Sequence, residues 1–438
     1  MKKKTTHQQF QETLDYLYTQ LPMFQRVGTT AFKKDLTNIL ALCKAIGDPY
    51  KTYPSIHLAG TNGKGSTAHI LAAILQASGK KVGMYTSPHY KDFRERIKIN
   101  ARLVSKRYIV DFVNTHRQLF EKIKPSFFEI TVAMAFDYFA QQKVDVAIIE
   151  TGLGGRLDST NIITPLLSII TNIGYDHQQF LGDTLAEIAS EKAGIIKPNI
   201  PVVIGESHPE TKSVFIEQAT KKQAAIVFAD QLLSVNIKET SPHHNHYQIA
   251  SKKESAFPTV LKVNLKGNYQ TKNLATALQA ITIVRENKLL PPISNEAIVA
   301  GLGNLKERTY FIGRWQQIGT NPTILCDSGH NVDGLHTVLE QLKGIEYKQL
   351  HFVFGMVKDK DPSKVLSMLP KSAKYYFAKA NIPRGLDAKH LKKEAAKHYL
   401  MGRAYVSVRN ALKAAKRQAS ATDLIFVGGS IFVVAEVL

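Results

Sequence analysis

A glycine-rich stretch near residue 60 carries the clearest chemistry in this sequence. Gly60–Ser66 reads Gly-Thr-Asn-Gly-Lys-Gly-Ser, follows the mostly apolar residues 55–59 and precedes an alanine- and leucine-rich segment. A loop between a strand and a helix can hold phosphate groups, because its N–H groups and the helix N-terminus face the anion. A lysine, here Lys64, adds a point charge. We therefore predict that this loop binds the phosphates of a nucleotide.

The spacing within the loop is shorter than in the usual P-loop, which has four residues between its glycines and Ser or Thr directly after the lysine. Here only Thr61 and Asn62 separate Gly60 from Gly63, and Gly65 follows the lysine. The alternative interpretation is a tight turn between a strand and a helix. Such a turn needs neither a lysine nor three glycines, so these residues favour phosphate binding. The contracted spacing further indicates one particular class of ATP-using protein.

An acidic residue follows a second buried segment. Glu150 comes directly after the mostly apolar run 144–149 and leads into the glycine-rich stretch 151–158. Ligands of open α/β sheets bind at the carboxyl ends of the strands, and Mg²⁺ is a hard cation that prefers oxygen ligands. We predict a magnesium site at Glu150; the alternative is a carboxylate that caps a glycine-rich turn.

Polar residues also follow two further apolar segments. The hydroxyl of Ser87, in Thr-Ser-Pro-His, could be a second metal ligand, although Ser-Pro is a common turn dipeptide. Asp176 and His177 could be metal ligands or nucleotide contacts, or a polar pair beside a helix. Lys192 would by itself pass for a surface lysine of the helical segment 184–196.

The order of these segments predicts an α/β protein of two domains. Continuous apolar runs are typical of parallel strands covered on both faces, whereas residues 231–266 alternate polar and apolar side chains like a small antiparallel patch. We predict an N-terminal P-loop ATPase domain with a parallel sheet and this patch over 1–304. A hinge linker over 305–313 and a C-terminal Rossmann-like α/β domain over 314–438 follow.

Composition excludes some classes of protein. The 438 residues are 44% hydrophobic and 21% charged, as in ordinary globular proteins. The two cysteines fit a reducing compartment, and neither a secretory signal nor a membrane segment stands out, so we expect a cytoplasmic protein. The net charge of +21 can reflect a lysine-rich surface, an anionic substrate or nucleic acid. No DNA-binding motif stands out to support the last of these.

A series of motifs, taken together, resembles a known family. They stand in the family's order at residues 60–66, 86–89, 93–97, 150–161, 191–196, 273–277, 327–331 and 429–430. Over nearly its whole length the sequence resembles the folylpolyglutamate synthases, many of whose bacterial members are also dihydrofolate synthases. That family belongs to the Mur ligase superfamily of ATP-dependent amide-forming ligases.

The resemblance implies a ligase that uses ATP to add L-glutamate to reduced folates through an acyl phosphate. It leaves open whether dihydropteroate is also a substrate. It further implies two Mg²⁺ ions, held by Ser87, Glu150, His177 and a carbamate on Lys192. We expect a monomer without a nucleic-acid or membrane partner.

The resemblance also assigns roles to residues outside the metal site. The residues expected to contact ATP are Lys64 and the loop amides, Asn273 and, in the C-terminal domain, Arg314 and Asp327. The residues expected to bind on the folate side of the site are Phe128, Glu129, Arg156, Leu157 and Asp158. Those expected on the glutamate side are His330 and Ser430. Catalysis is assigned to Lys64, Lys192, Arg314 and His330.

The sequence departs from the family pattern at several positions. Ser328 and Val332 replace a glycine and a proline that are common in the family, and Tyr90 replaces an aliphatic residue. Two rival functions are a cell-wall Mur ligase and a basic P-loop ATPase that binds nucleic acid. A cell-wall ligase usually has Ser or Thr directly after the lysine, and a nucleic-acid binder would show aromatic stacking platforms.

Overall fold

The computed structural model describes residues 4–19, 35–252, 257–358 and 361–438. The contacts divide the chain into two compact units, one of Met1–Leu265 with Gln270–Tyr310 and one of Lys266–Tyr269 with Phe311–Leu438. The predicted linker 305–313 contains a short helix, Leu305–Thr309, whose two end residues are buried. The predicted domain boundaries stay a prediction.

An eight-stranded sheet forms the centre of the first unit. Its strands are β1 (Ser55–Ala59), β2 (Val82–Tyr85), β3 (Ile97–Ile99), β4 (Arg102–Leu103), β5 (Val146–Glu150), β6 (Leu167–Ile170), β7 (Val202–Ile204) and β8 (Ile226–Phe228). They lie in the order β4-β3-β2-β5-β1-β6-β7-β8, and all neighbours are parallel except at β3 and β4. Strands β1, β2, β5 and β6 are buried along their whole length, which explains their apolar sequences.

The helices of the first unit surround this sheet. They are α1 (Thr6–Thr19), α2 (Thr37–Ala45), α3 (Lys64–Ala77), α4 (Lys106–Ile123), α5 (Phe127–Gln141), α6 (Gln178–Leu181), α7 (Leu185–Ala193), α8 (Pro209–Lys221), α9 (Ala229–Leu232), α10 (Gln270–Glu286), α11 (Asn295–Gly303) and α12 (Leu305–Thr309). Short 3₁₀ helices occupy Pro49–Lys51, Phe93–Arg96 and Ser159–Ile162. Helix α3, which follows the glycine loop, is buried from Ser66 to Leu75 and packs against α10, α11 and α12. The spacing of Phe10, Leu14, Leu17 and Leu21 predicts a helix; the first three residues lie in α1, and Leu21 lies outside the described residues.

The predicted antiparallel patch is a three-stranded sheet. Its strands β9 (Leu233–Thr240), β10 (Asn245–Ser251) and β11 (Val260–Val263) lie in the order β11-β10-β9. Buried and exposed side chains alternate along the start of β9, because one face of this sheet packs inward and the other meets solvent.

A six-stranded sheet forms the second unit. Its strands are β12 (Gln316–Thr320), β13 (Thr323–Cys326), β14 (Leu350–Phe354), β15 (Lys374–Ala378), β16 (Gly402–Tyr405) and β17 (Leu424–Gly428), and its helices are α13 (Val332–Lys343), α14 (Pro362–Leu366), α15 (Ala388–Ala396), α16 (Val408–Gln418) and α17 (Ile431–Ala435). The order is β12-β13-β17-β14-β15-β16, with only β12 antiparallel. The predicted α/β fold class is thus confirmed for both units. The local sequence of residues 404–408 predicts a strand; this prediction is wrong at its end, because Ser407 caps α16 by accepting from the N–H of Asn410.

Among the described residues, no helix combines the length and the apolarity that a membrane crossing requires.

Candidate active site

Four neighbouring strands of the first unit bring predicted site residues to one edge of the sheet. Strands β2, β5, β1 and β6 are adjacent and parallel, so their carboxyl ends lie side by side. Ser87 follows β2, Glu150 ends β5, the glycine loop follows β1, and His177 lies in the loop after β6. This is the edge at which open α/β sheets bind ligands.

The glycine loop is held in a conformation that only glycine permits at two positions. Gly60 and Gly63 have φ angles of 147° and 86°. A Cβ atom at Gly60 would collide with the hydroxyl of Thr171, and one at Gly63 would collide with the side-chain oxygen of Asn273. Asn273, a predicted ATP contact on α10, therefore lies directly against the loop. The N–H of Asn62 in turn donates to Oδ1 of Asn172 over 2.8 Å.

Two lysines meet at this loop. Nζ of Lys64 donates to the carbonyl oxygens of Gly60 at 2.8 Å and Thr61 at 3.3 Å, and Nζ of Lys192 donates to the same Gly60 oxygen at 3.0 Å. Lys192 is buried. Burial first, and then the charge of Lys64, lowers the pKa of Lys192 to about 7, although Asp176 and Asp158 oppose the shift. Lys192 is therefore no ordinary surface lysine.

The acid of the predicted metal site lies beside the start of helix α3. The backbone N–H of Ser87 donates to Oε2 of Glu150 over 3.2 Å. A Cβ atom at Gly65 would lie 3.7 Å from the same oxygen, an ordinary contact distance. Glu150 is buried, with 4% of its surface exposed. The structure thus brings Ser87, Glu150 and the loop together.

The remaining predicted metal ligand, His177, precedes the short helix α6 in a left-handed conformation with φ 53°. Its side chain is one-third exposed, and its Nε2 lies 3.9 Å from Oδ1 of Asp176. In the described parts of the chain no group of three or more His, Cys, Asp or Glu could hold a metal. The predicted set includes only two residues of these types, and the oxygen donors of Glu150 and Ser87 suit a hard cation such as Mg²⁺.

Three buried residues at this site were missed by the sequence analysis. Gln270 receives a hydrogen bond from Nδ2 of Asn273 over 2.9 Å and donates to the Ser66 hydroxyl over 3.4 Å. Nζ of Lys98 lies 3.3 Å from Nε2 of His69 on helix α3. Burial lowers the pKa of Lys98 to about 8, while the charges of Glu95 and Glu150 oppose the shift. A single glutamine, lysine or histidine within such segments gives no sequence signal of these contacts.

The residues predicted for the folate side lie on helix α5 and in the glycine-rich loop after β5. A Cβ atom at Gly152 would collide with the ring of Phe128, so this ring packs directly on the loop. Glu129 is buried and caps the helix, with its Oε2 accepting from the N–H of Ser126 over 2.6 Å. This capping role accounts for Glu129 locally, and substrate binding by it stays a prediction.

The same loop is fixed by its own polar residues. Arg156 forms an ion pair of 2.7 Å with Glu191, the residue that precedes Lys192. Oδ2 of Asp158 accepts from the N–H groups of Gly152 at 2.8 Å and Leu153 at 2.9 Å. Asp158 is buried, Leu157 is half-buried and Arg156 is exposed. Of these three residues, Arg156 is the most accessible to a ligand, while Asp158 shapes the loop.

In the second unit, Asp327 follows strand β13 and is held by three donors. Its Oδ2 accepts from the hydroxyl of Tyr269 at 2.5 Å and the N–H of Trp315 at 2.7 Å, and its Oδ1 accepts from the N–H of Gly329 at 2.7 Å. Arg314, next to Trp315, is half-buried. Tyr269 was not predicted, because it lies 58 residues from Asp327 in the sequence.

His330 and Ser430 follow the adjacent strands β13 and β17. Nδ1 of His330 lies 3.1 Å from the carbonyl oxygen of Ser328. Ser430 is buried and caps helix α17, its hydroxyl accepting from the N–H of Phe432 over 3.2 Å. Both predicted glutamate-side residues thus lie at one edge of the sheet.

Comparisons with known proteins agree with this geometry. Residues 58–281 match the model of the Mur ligase middle domain, and residues 313–431 match that of the Mur ligase glutamate ligase domain. The dihydrofolate synthase/folylpolyglutamate synthase of Bacillus subtilis is 35% identical over 82% of this chain and 84% of its own length.

Two further matches cover nearly the whole chain. A probable bifunctional folylpolyglutamate synthase/dihydropteroate synthase of Haloferax volcanii is 34% identical over 98% of this chain, which spans half the length of that protein. A crystal structure of a bifunctional folylpolyglutamate synthase/dihydrofolate synthase with Mn, AMPPNP and L-glutamate bound has a TM-score of 0.82, 29% identity and coverage of 98% and 97%. The chain belongs to the Mur ligase superfamily and, within it, to the folylpolyglutamate synthase and dihydrofolate synthase family.

Proposed function

We propose that this protein is an ATP-dependent ligase that joins L-glutamate to a reduced folate. The observation that carries the proposal is the meeting of Lys64 and Lys192 on the carbonyl of Gly60, beside the acid Glu150. The ammonium group of Lys64 at this loop suits the phosphates of ATP, and the buried amine of Lys192 on the same acceptor is available to CO₂. The relatives that are folylpolyglutamate and dihydrofolate synthases support the folate substrate, and the ligands of the solved relative support ATP, a divalent metal and glutamate.

The reaction proceeds in two steps that need anions brought together. An oxygen of the folate carboxylate attacks the γ-phosphorus of ATP, the bond from that phosphorus to the bridging oxygen breaks, and ADP leaves. The amine of glutamate then attacks the acyl carbon, and the amide forms as phosphate departs. Lys64 and the loop N–H groups hold the phosphates in line and offset their charge.

For the first unit we propose that Ser87, Glu150 and His177 hold two Mg²⁺ ions together with a carbamate on Lys192. When bound, Mg²⁺ supplies positive charge that screens the transferring phosphoryl group. The carbamate forms when the neutral amine of Lys192 adds to CO₂ and one proton leaves. A pKa of about 7 makes a large share of this amine neutral at physiological pH, and the product adds a negative charge near Lys64.

For the remaining residues we propose the roles that the family resemblance implies. Asn273, Arg314 and Asp327 contact ATP; Phe128, Glu129, Arg156, Leu157 and Asp158 form the folate side; His330 and Ser430 receive glutamate. The close packing of Asn273 on the loop and of the Phe128 ring on Gly152 supports two of these assignments. The monomeric state, the absence of a nucleic-acid partner and the cytoplasmic location are part of the same proposal.

A mass-spectrometric ligation assay tests this function. The protein is incubated with MgATP, glutamate and bicarbonate in two parallel reactions, one with tetrahydrofolate and one with dihydropteroate. Gain of glutamate on tetrahydrofolate alone identifies a dedicated folylpolyglutamate synthase, and gain on both identifies a bifunctional enzyme. ATP hydrolysis without gain on either acceptor would contradict the folate substrate. In the Lys192→Ala variant, partial rescue by small carboxylates is the expected mark of the carbamate.

A further inference from the structure

The positive charge of this protein is concentrated at one edge of the second unit. Residues 371–417 contain thirteen Lys and Arg against two acids and so hold about half of the net charge of +21. Both acids are engaged locally: Asp387 accepts from the N–H groups of Lys389 and His390, and Glu394 pairs with Lys397 at 2.7 Å. The other basic side chains are not offset by acids of this segment.

The same segment contains the open end of the sheet. Strand β16 is the last strand of the sheet in the described part of the chain. From β14 to β15 to β16 the chain moves toward this end of the sheet. Helix α16 then leads back across the sheet to β17, on the far side of β14. Because such crossovers are right-handed, α15 and α16 cover opposite faces of the sheet. Exposed basic side chains on both faces flank β16: Lys389, Lys392, Lys393 and Lys397 on α15 or just after it, and Arg409, Lys413, Lys416 and Arg417 on α16.

Large apolar side chains are exposed at both ends of this strand. Tyr399, Met401 and Val406 are 73%, 74% and 86% exposed, more than the other large apolar residues described as exposed. At the edge strand of a sheet, large apolar side chains are normally covered by other parts of the protein or are few in number. We define the basic edge as strand β16 with these three residues and the eight basic side chains of α15 and α16.

We propose that the basic edge binds an acidic segment of another protein, which adds to β16 as an extended strand. Successive side chains of a strand point to opposite faces, so alternate carboxylates of an added strand meet the basic side chains of α15 on one face and of α16 on the other. The backbone groups of β16 supply main-chain hydrogen bonds, and Tyr399, Met401 and Val406 cover apolar residues at its ends.

Other occupants fit less well. A second copy would bring like charges together. A flat membrane surface would meet the helix on only one face of the sheet. For single-stranded RNA, both aromatic rings of the basic edge are already engaged where a base would stack: Nζ of Lys371 lies 5.1 Å from the centroid of the Tyr399 ring, and the Tyr405 ring stacks on that of Tyr376.

Fluorescence anisotropy with a labelled twelve-residue peptide of three Glu-Glu-Val-Val repeats, whose neighbouring glutamates point to opposite faces of an extended strand, tests the proposal. Binding to the full chain at low salt is expected to weaken about tenfold in the variant Lys392→Gln/Lys393→Gln/Lys413→Gln/Lys416→Gln. A variant with equal net charge, Lys122→Gln/Lys143→Gln/Lys221→Gln/Lys348→Gln, should bind like the wild type. These substitutions are exposed, and thermal melting and ligase activity serve as checks that both variants fold.

The mode of binding is tested with a second peptide. Proline in place of valine keeps the charge but removes the N–H groups that a strand requires, so this analogue should lose most of its affinity. Equal binding of the two peptides, or equal binding by the two variants, overturns the proposal. Tighter binding of single-stranded RNA or of phosphatidylserine vesicles than of the peptide, lost in the first variant, also overturns it and assigns the basic edge to that partner.

Discussion

The two sheet edges that carry the predicted site residues differ in their hydrogen bonds. In the first unit, Lys64 and Lys192 both donate to the carbonyl of Gly60, and the charge of Lys64 helps to lower the pKa of Lys192. In the second unit, the Asp327 carboxylate accepts from Tyr269, Trp315 and Gly329. The first edge therefore gains from an anion that a ligand brings, whereas the second edge is already held together by its own groups.

We therefore expect substitutions at the two edges to have different effects. Residues of the first edge should affect chemistry strongly, because the fold holds Lys64 and Lys192 near each other at a cost that Asp176 and Asp158 offset only in part. Residues of the second edge should affect shape and stability before chemistry. Four substitutions test this comparison.

Lys64→Ala should have the largest effect. Removing the ammonium group that we assign to the phosphates should lower ATP turnover about 10³-fold, with little change in thermal stability. Release of ADP measured in steady state, with the exposed Lys122→Ala as control, checks this. Turnover close to that of the wild type would end the phosphate-binding interpretation of the loop.

Lys192→Met should lower ligase activity about 100-fold and yet stabilise the fold by about 1–3 kcal/mol near neutral pH. The pKa of Lys192 is about 7 in the folded protein, below its unfolded value of about 10.4. The penalty for the buried lysine is therefore absent above the unfolded pKa, grows as the pH falls, and is complete below about 7.

Urea unfolding of Lys192→Met in CO₂-free buffer measures this effect. The gain over the wild type should be larger at pH 6.5 than at pH 9.5, and Lys122→Met should show no such gain. A variant that is less stable than the wild type at both pH values would mean that Lys192 stabilises the unliganded loop, contrary to this prediction.

Gly63→Ala should destabilise the protein by about 1–3 kcal/mol, because Gly63 has a φ of 86° and an added Cβ atom would collide with Asn273. Gly65→Ala is the matched control, since its Cβ atom would lie 3.7 Å from Glu150. Chemical unfolding of both variants compares them. Equal stabilities would show that the loop can move away from Asn273.

Tyr269→Phe should have the smallest effect. It removes one of three hydrogen bonds to Asp327 and should cost about 1 kcal/mol of stability, with ligase activity reduced only a few-fold. The exposed Tyr175→Phe is a suitable control, followed by urea unfolding and the ligation assay. A loss of activity as large as that of Lys64→Ala would remove the distinction between the two edges.

The sequence predicted the parts of this molecule that depend on neighbouring residues. The glycine loop and Glu150 directly adjoin apolar strands, so their position at a sheet edge followed from local pattern. Contacts between distant segments were beyond such reasoning: Gln270 meets Ser66 across 204 residues, and Tyr269 meets Asp327 across 58. The short strand β4 and the start of α16 at Val408 were missed because side-chain caps and pairing outweigh weak local preference.

The discontinuous second unit has a consequence for anyone who cuts or recombines this chain. Tyr269 belongs to that unit, although 41 residues of the first unit, Gln270–Tyr310, separate it from Phe311. A fragment that begins at Phe311 would lack the phenol that binds Asp327 and the backbone N–H of Asn268 that donates to Gln341 over 2.7 Å. A chimera that exchanges the C-terminal part between relatives should therefore take residues 266–269 from the same parent as residues 311–438.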